Sequence, residues 1–450
     1  MILHSKKKSL FVQGFKKTIS HVFDKWKMQK FYQKLKKKLI HEIQNNMDQI
    51  QNLSWQGQYS KSKLKVGKWM VYWNNEFLKN VGGYYMEGQK QGLWKDLFLN
   101  YCDQNLAFEI GEYENDLRIG NWNYIWLENK ICGGLYNKYG QKQGKWVEFD
   151  KRFGINRQVL YKGEYNFQGI KIGRWDIMYK CCEYFENEDE EYKQIGGGIY
   201  GLGDGQIKIG RWIDLWDNFE IKREITLNGV YNMKGMKVGK WSIACKKKQM
   251  QKLDDGGGIY GEGEGEIKIG RWIEQWENFG WDREVTFEGE YNMKGMKIGR
   301  WDIWFVWFSG FSKKKFICGG GSYGEGQIKI GRWVDLWENF GQHRVVTCLG
   351  EYNMKGEKVG RWDIIHRGKQ MCILQYFSGG GSYAEGEDQI KIGKWVEVEI
   401  FQDFRGSNFI TYNGEYNMKG IKIGTWVQNG EKKDEMEIQY LKKNKINLNK

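Results

Sequence analysis

Thirteen tryptophans recur along this chain in one fixed setting, and that recurrence restricts the fold more than any other feature. They are Trp69, Trp94, Trp122, Trp146, Trp175, Trp212, Trp241, Trp272, Trp301, Trp333, Trp362, Trp395 and Trp426, spaced 24 to 37 residues apart. Each has a glycine two residues before it, from Gly67 to Gly424. Each has a lysine four before it, from Lys65 to Lys422, replaced by arginine only at Arg118. A tyrosine stands nine to twelve residues upstream of every one, from Tyr59 to Tyr416. Two versions alternate. One reads Gly-Glu-Tyr-Asn-Met-Lys-Gly-Met-Lys-Ile-Gly-Arg-Trp-Asp-Ile at 289–303, and the other runs from Gly319 to Trp337 with a triple glycine at its start. A period of this length means a repeat architecture, in which no single unit can bury its apolar face alone.

The local chemistry of one unit is that of a β-hairpin. A short strand ends at the tyrosine, a glycine-containing loop reverses the chain, and a second strand opens at the Gly-Arg-Trp step. After Trp301 the chain reads Asp-Ile-Trp-Phe-Val-Trp-Phe, strand formers apart from the aspartate. A period of two puts Trp301 and Ile303 on one face and Arg300 and Asp302 on the other. In the second version Trp333, Asp335 and Trp337 share one face, and Val334 and Leu336 the opposite one. Apolar residues on both faces predict that parts of the sheet are covered on both sides. The chain has 60 glycines and no proline, as suits many short strands joined by tight turns. The expected fold is an all-β tandem repeat of about thirteen stacked antiparallel hairpins. At roughly 4.8 Å per strand it would be an elongated, solenoid-like sheet on the order of 120 Å long.

The Tyr-x-x-x-Gly-x-Lys-x-Gly-x-Trp core resembles MORN repeats, and more closely the MORN-type variant also found in bacterial antitoxin-component proteins. The resemblance spans 57–427. It implies antiparallel hairpins stacked in a row, roles in scaffolding or membrane–cytoskeleton attachment, and no chemistry. The chain departs from the usual pattern, in which Gly-x-Trp follows the first tyrosine directly, by its inserted loops and its two-unit alternation.

Three segments follow from this reading: a basic amphipathic helical segment at 1–50, the hairpin array at 51–429, and a charged tail at 430–450, expected to be disordered. Of the net charge of +15, residues 1–50 hold twelve lysines against Asp24, Glu42 and Asp48, or +9. The body is therefore close to neutral, which argues against nucleic-acid binding. Phe11, Phe15, Val22 and Trp26 form one apolar stripe, and Met28, Phe31, Tyr32, Leu35, Leu39 and Ile43 a second. Lys27, Lys30, Lys34, Lys37 and Lys38 lie opposite the second stripe. Such a helix either caps the first hairpins or contacts an anionic membrane or a helical partner.

The lysine four before each tryptophan and the basic residue directly before ten of the thirteen form a periodic ladder. A polyanion or a lipid surface could use it. The competing reading is cross-strand pairing with Asp176, Asp302 and Asp363 just after the tryptophan, and with Glu148, Asp214, Glu274, Asp335 and Glu397 two after it. The near-neutral body favours pairing. The loops differ more. One holds six acids, Glu183, Glu186, Glu188, Asp189, Glu190 and Glu191, where the matching loops hold Lys246, Lys247 and Lys248, and Lys313, Lys314 and Lys315. Charge that inverts at equivalent positions is not dictated by the fold, so these loops are candidates for partner contact.

The glycine-rich runs at Gly201–Gly205 and Gly261–Gly265 lead into strands instead of helices and carry acids, which excludes a phosphate cradle. Only His343 and His366 lie in the array, with no serine or cysteine arrangement around them. The eight cysteines show no metal-site spacing, and no run approaches the ~18 apolar residues of a membrane span. The start lacks a signal-peptide apolar stretch, which predicts a cytoplasmic protein with free thiols, peripheral at a membrane or the cytoskeleton. No catalysis, cofactor, metal or small-molecule substrate is expected. The leading expectation is a protein-binding scaffold, with a peripheral membrane protein as the alternative. An antitoxin-like inhibitor is a third class, resting on the resemblance alone.

Overall fold

The computed structural model describes residues 47–181, 191–203, 205–221, 223–245, 253–263, 265–276, 284–309, 312–337, 340–341, 345–367, 377–386, 389–403 and 406–429. The helix expected within 1–50 falls outside them, except for the short α1 (Met47–Asn52) that leads into the array. The charged tail at 430–450 also lies outside. The chain divides into two compact units, one running to Ile221 and including Tyr231–Gly235, the other formed by Lys222–Val230 and the residues from Met236 onward.

The first unit contains β1 (Leu53–Tyr59), β2 (Lys65–Trp73), β3 (Glu76–Met86), β4 (Gln89–Leu97), β5 (Ala107–Glu114) and β6 (Leu117–Trp126). It continues with β7 (Asn129–Tyr136), β8 (Lys142–Phe149), β9 (Gln158–Tyr165), β10 (Lys171–Lys180), β11 (Lys193–Tyr200) and β12 (Lys208–Leu215). Each strand pairs antiparallel with the next in sequence. After β13 (Ile225–Tyr231), the second unit holds β14 (Lys237–Cys245), β15 (Leu253–Tyr260), β16 (Lys268–Gln275), β17 (Val285–Tyr291) and β18 (Lys297–Ser309). Then come β19 (Ser312–Tyr323), β20 (Lys329–Leu336), β21 (Val345–Tyr352), β22 (Lys358–Arg367), β23 (Phe377–Tyr383), β24 (Lys391–Asp403), β25 (Gly406–Tyr416) and β26 (Lys422–Asn429). From β14 to β26 the same consecutive antiparallel order holds. The all-β repeat is therefore what these residues form, and every anchor tryptophan lies on an even-numbered strand.

One detail of the hairpin differs from the sequence expectation. The second strand starts at the lysine, two residues before the Gly-x-Trp glycine, so that glycine lies inside the strand. Against β17, Ile298 pairs with Glu290 and Asp302 with Glu288: β18 advances four residues where its partner advances two. Gly299 absorbs this bulge at φ +59 with open space around its α-carbon, so it is the backbone angle that demands glycine.

The faces alternate as the period of two requires. Trp301, Ile303 and Phe305 are buried in a line along β18, while Arg300 and Asp302 face outward. The cover for the buried face comes from the chain itself. Segments leaving β4, β8, β12 and β20 make tight turns that set Tyr101, Phe153, Phe219 and Phe340 onto ring positions of the sheet. Tyr101 meets Trp73 at 4.9 Å, Phe153 meets Trp126 at 5.4 Å, Phe219 meets Tyr179 at 5.1 Å and Phe340 meets Phe305 at 4.9 Å. Each plugging ring stands seven residues after an anchor tryptophan, and the recurring Trp-x-Asn-Phe at 216–219 and 337–340 was its visible signal. Gln49 of α1 closes the first of these segments from outside, donating from Nε2 to the carbonyls of Phe98 at 2.9 Å and Leu99 at 3.2 Å.

Candidate functional site

The repeated residues meet along the buried face as one ladder. Each anchor indole lies flat over the glycine two residues before the tyrosine of its own hairpin. A Cβ added to Gly289 would fall 2.3 Å from the Trp301 ring. Here the requirement is space, not backbone angle. Edge-on tyrosines close both sides, with Tyr291 at 5.2 Å and Tyr323 at 6.1 Å from Trp301. The indole Nε1 donates to the carbonyl of Glu290 at 3.3 Å. Twelve of the anchors are at most 4% exposed, and only Trp426, on the last strand, is partly open.

The lysine ladder is explained by the same rings. Every residue four before an anchor places its cation over that indole, from 3.7 Å at Lys171–Trp175 to 5.0 Å at Lys237–Trp241. The carboxylates two after alternate anchors then receive these cations. Lys208 Nζ reaches Asp214 at 2.5 Å, Lys329 reaches Asp335 at 2.6 Å and Lys391 reaches Glu397 at 2.7 Å. These pairs run along one strand, beside the cross-strand pairs of the sequence reading, which Glu148, Glu274 and Glu397 also make with Lys171, Lys297 and Lys422. In a straight strand, residues six apart would be separated by about 20 Å. The bulge at the intervening glycine shortens that path, and the lysine stem crosses the ring to cover the remainder. The other acids pair with the exposed arginines beside their anchors, Arg174 with Asp176 at 2.8 Å and Arg300 with Asp302 at 2.7 Å.

Each of these carboxylates also ties its hairpin to the next. Tyr291 donates to Glu274 at 2.7 Å, and Tyr352 to Asp335 at 2.6 Å. A glutamate reaches further, taking a second lysine from the following hairpin: Lys297 to Glu274 at 2.9 Å and Lys422 to Glu397 at 2.6 Å. Burial pushes the Glu397 carboxyl up, but hydrogen bonds from Lys391, Lys422 and Tyr416 outweigh it and hold it at about 2. Lysine pairs likewise keep Glu148 and Glu274 below the ordinary glutamate value despite their burial. Burial beside these acids drives the tyrosines the other way, with Tyr260 and Tyr323 pushed up to about 12.

The consequence for stability has a definite sign at both ends of the pH scale. The depressed carboxyls contribute stability that is complete above their unfolded value near 4.5 and is lost as pH falls toward 2. The raised tyrosines keep their protons folded but lose them unfolded above 10, so stability falls from pH 10 toward 12. The thermal midpoint should be level between about pH 5 and 10 and drop on both sides. A midpoint that stays flat from pH 8 to 12 would contradict the buried tyrosine–carboxylate bonds.

The candidate contact residues of the helix and the loops are only partly among the described residues. Lys27, Lys30, Lys34, Lys37 and Lys38 lie outside the described residues, as do Glu183, Glu186, Glu188, Asp189, Glu190, Lys246, Lys247 and Lys248. Glu191 is described and exposed. Lys313, Lys314 and Lys315 are not in a loop: they extend β19, opposite Phe308, Trp307 and Val306 of β18. The aromatic run after Trp301 is long enough to pair with them, and Lys315 lies over the Trp304 ring at 5.0 Å. Among the described residues no helix is long and apolar enough to cross a membrane.

A surface that the sequence reading passed over lies at the hairpin turns. In the second unit the turns joining odd to even strands share one edge of the sheet. They carry Met293 at 78% exposure, Met354 at 78% and Met418 at 73%, each followed by an exposed lysine. Between them stand turns bearing exposed Glu325 and Glu385. No family model matches this chain, and no curated protein is significantly similar to it.

Proposed function

We propose that this protein is a non-enzymatic repeat scaffold, the role its MORN-like pattern implies, and that it binds a protein partner through the turn edge of its hairpins. One observation carries this reading: large apolar side chains stand exposed at equivalent, rigidly held turn positions where packing does not require them. Asn292 Oδ1 accepts from the backbone of Lys294 at 2.9 Å and Met296 at 3.0 Å, and Asn353 and Asn417 do the same in their turns. The turn also closes on its neighbour, since a Cβ at Gly295 would meet Ile267 at 2.8 Å. The apolar residue itself is free to vary: Phe167 takes the equivalent place in the first unit at 88% exposure. Methionine suits contact with a partner because its side chain adapts, and a fixed turn lowers the ordering cost of binding.

Charge favours protein over lipid as the partner. Along the edge, lysine-bearing tips recur every four strands, about 19 Å apart, with acidic tips between them. An anionic bilayer would be repelled by Glu325 and Glu385, whereas a folded surface can match alternating signs. The test is cross-linking of the full chain in extract from its own source, comparing wild type with the Met293→Ser, Met354→Ser, Met418→Ser triple variant. A discrete partner captured by the wild type and lost by the variant is the expected result. Equal capture by both, or sedimentation with phosphatidylserine vesicles that only the wild type shows, overturns it.

A further inference from the structure

In the second unit, the buried-face ladder opens into a cavity of about 820 Å³ that no element described above uses. Its lining is mixed, with the apolar Trp276, Phe287, Ile303, Leu336 and Trp337 beside the charged Lys329, Asp335 and Lys358. Lys358 stands at one end, where this cavity adjoins a second of about 360 Å³ that shares Trp337, Cys348 and Lys358 with it. We infer that this concavity, at Lys358, is a binding site for an organic carboxylate carried on a flat apolar body. The inference is independent of the turn edge, which lies elsewhere on the hairpins.

The repeat breaks before Lys358, as it does before Lys237, where the corresponding acid is Asp214, held by Lys208 and Tyr231. At equivalent positions Lys171, Lys297 and Lys422 each reach the glutamate of the preceding hairpin, at 2.5, 2.9 and 2.6 Å. Before Lys358 the corresponding acid is Asp335, one methylene shorter. Its two oxygens are taken by Lys329 at 2.6 Å and the Tyr352 hydroxyl at 2.6 Å. Among the described residues Lys358 therefore meets no carboxylate, only the rings of Trp362 at 4.2 Å and Tyr383 at 5.8 Å. The lining of the larger cavity carries two lysines, Lys329 and Lys358, against one aspartate, Asp335, which leaves one positive charge beside its aromatic rings, while the adjoining cavity adds the Lys391–Glu397 pair and the exposed Glu399.

Cys348 adds no counter-charge: burial pushes its thiol up to about 12, only partly offset by Lys358. A half-buried ammonium in such surroundings gains most from an anion that also covers the rings. The volume falls within the usual range for small-ligand sites, roughly 300–1,000 Å³.

Naphthoate is the probe, titrated calorimetrically into the full chain beside the neutral naphthylmethanol. Naphthoate should bind saturably and the alcohol about tenfold more weakly or worse, as expected when a charge-assisted bond is lost. Lys358→Met should weaken naphthoate by a similar factor. Asp335→Glu supplies the second arm, because it restores the glutamate that neutralises Lys171, Lys297 and Lys422. It should abolish binding while the thermal midpoint holds or rises, so that loss of binding is not loss of fold. Lys355→Met, at an exposed turn, should leave binding unchanged. No binding to the wild type at millimolar probe, equal binding of acid and alcohol, or full binding by Asp335→Glu would each overturn the assignment.

Discussion

Replacing Trp301 with alanine should cost about 3–5 kcal/mol and confine its damage to the neighbouring hairpins. The side chain is 1% exposed, lies flat on Gly289, and is closed in by Tyr291 and Tyr323. Its loss removes the ring over which Lys297 passes at 3.9 Å on the way to Glu274. The deficit therefore combines an unfilled cavity with a weakened tie between hairpins. Because β18 pairs with β17 and β19, and β19 with β20, amides of β17 to β20 should lose hydrogen-exchange protection while those of β3 and β4 keep theirs. A uniform loss of protection over the whole chain would show that stability is shared globally, and would sink the one-dimensional account.

The second large effect separates two glycines that look alike in sequence. Gly289→Ala places a methyl 2.3 Å from the Trp301 ring, so the indole must move or the hairpin must open; a cost of about 3 kcal/mol is expected. Gly299→Ala meets nothing within 4 Å, and its penalty is that of holding alanine at φ +59, about 1 kcal/mol. The ordering should reverse once the ring is gone: in a Trp301→Ala background, Gly289→Ala should add little while Gly299→Ala keeps its full cost. Urea midpoints of the single and double variants measure this. Additive penalties at Gly289 and Trp301 would mean that the two residues do not share a contact.

A variant at Gly289 is instructive because the sequence alone places that glycine but not its purpose. Spacing was enough to place thirteen tryptophans, the lysine before each, and the hairpins that carry them, because such periodicity is local and repeated. The alternation of Trp301 and Ile303 against Arg300 and Asp302 followed from the two-residue period of a strand. The ion pairing was legible only as complementary charge. Its route along the strand depends on bulges such as the one at Gly331, between Lys329 and Asp335, which shorten a distance that local pattern counts at full length. The turn edge was within reach, since Asn-Met-Lys-Gly recurs at 292, 353 and 417, but exposure is decided by what packs beside a residue.

What only the tertiary structure decided are the relations between residues of different hairpins. Phe340 covers Phe305 from 35 positions away, and Lys313, Lys314 and Lys315 become strand because β18 runs on far enough to pair with them. Glu274 reaches Lys297 where Asp335 leaves Lys358 unpaired among the described residues, a difference of one methylene that matters only after folding has set the distance. Sequence determined which residues repeat, because repetition is written along the chain. Structure determined what each repeat touches, because contact energies depend on separations in space of a few ångströms, which the linear order does not contain.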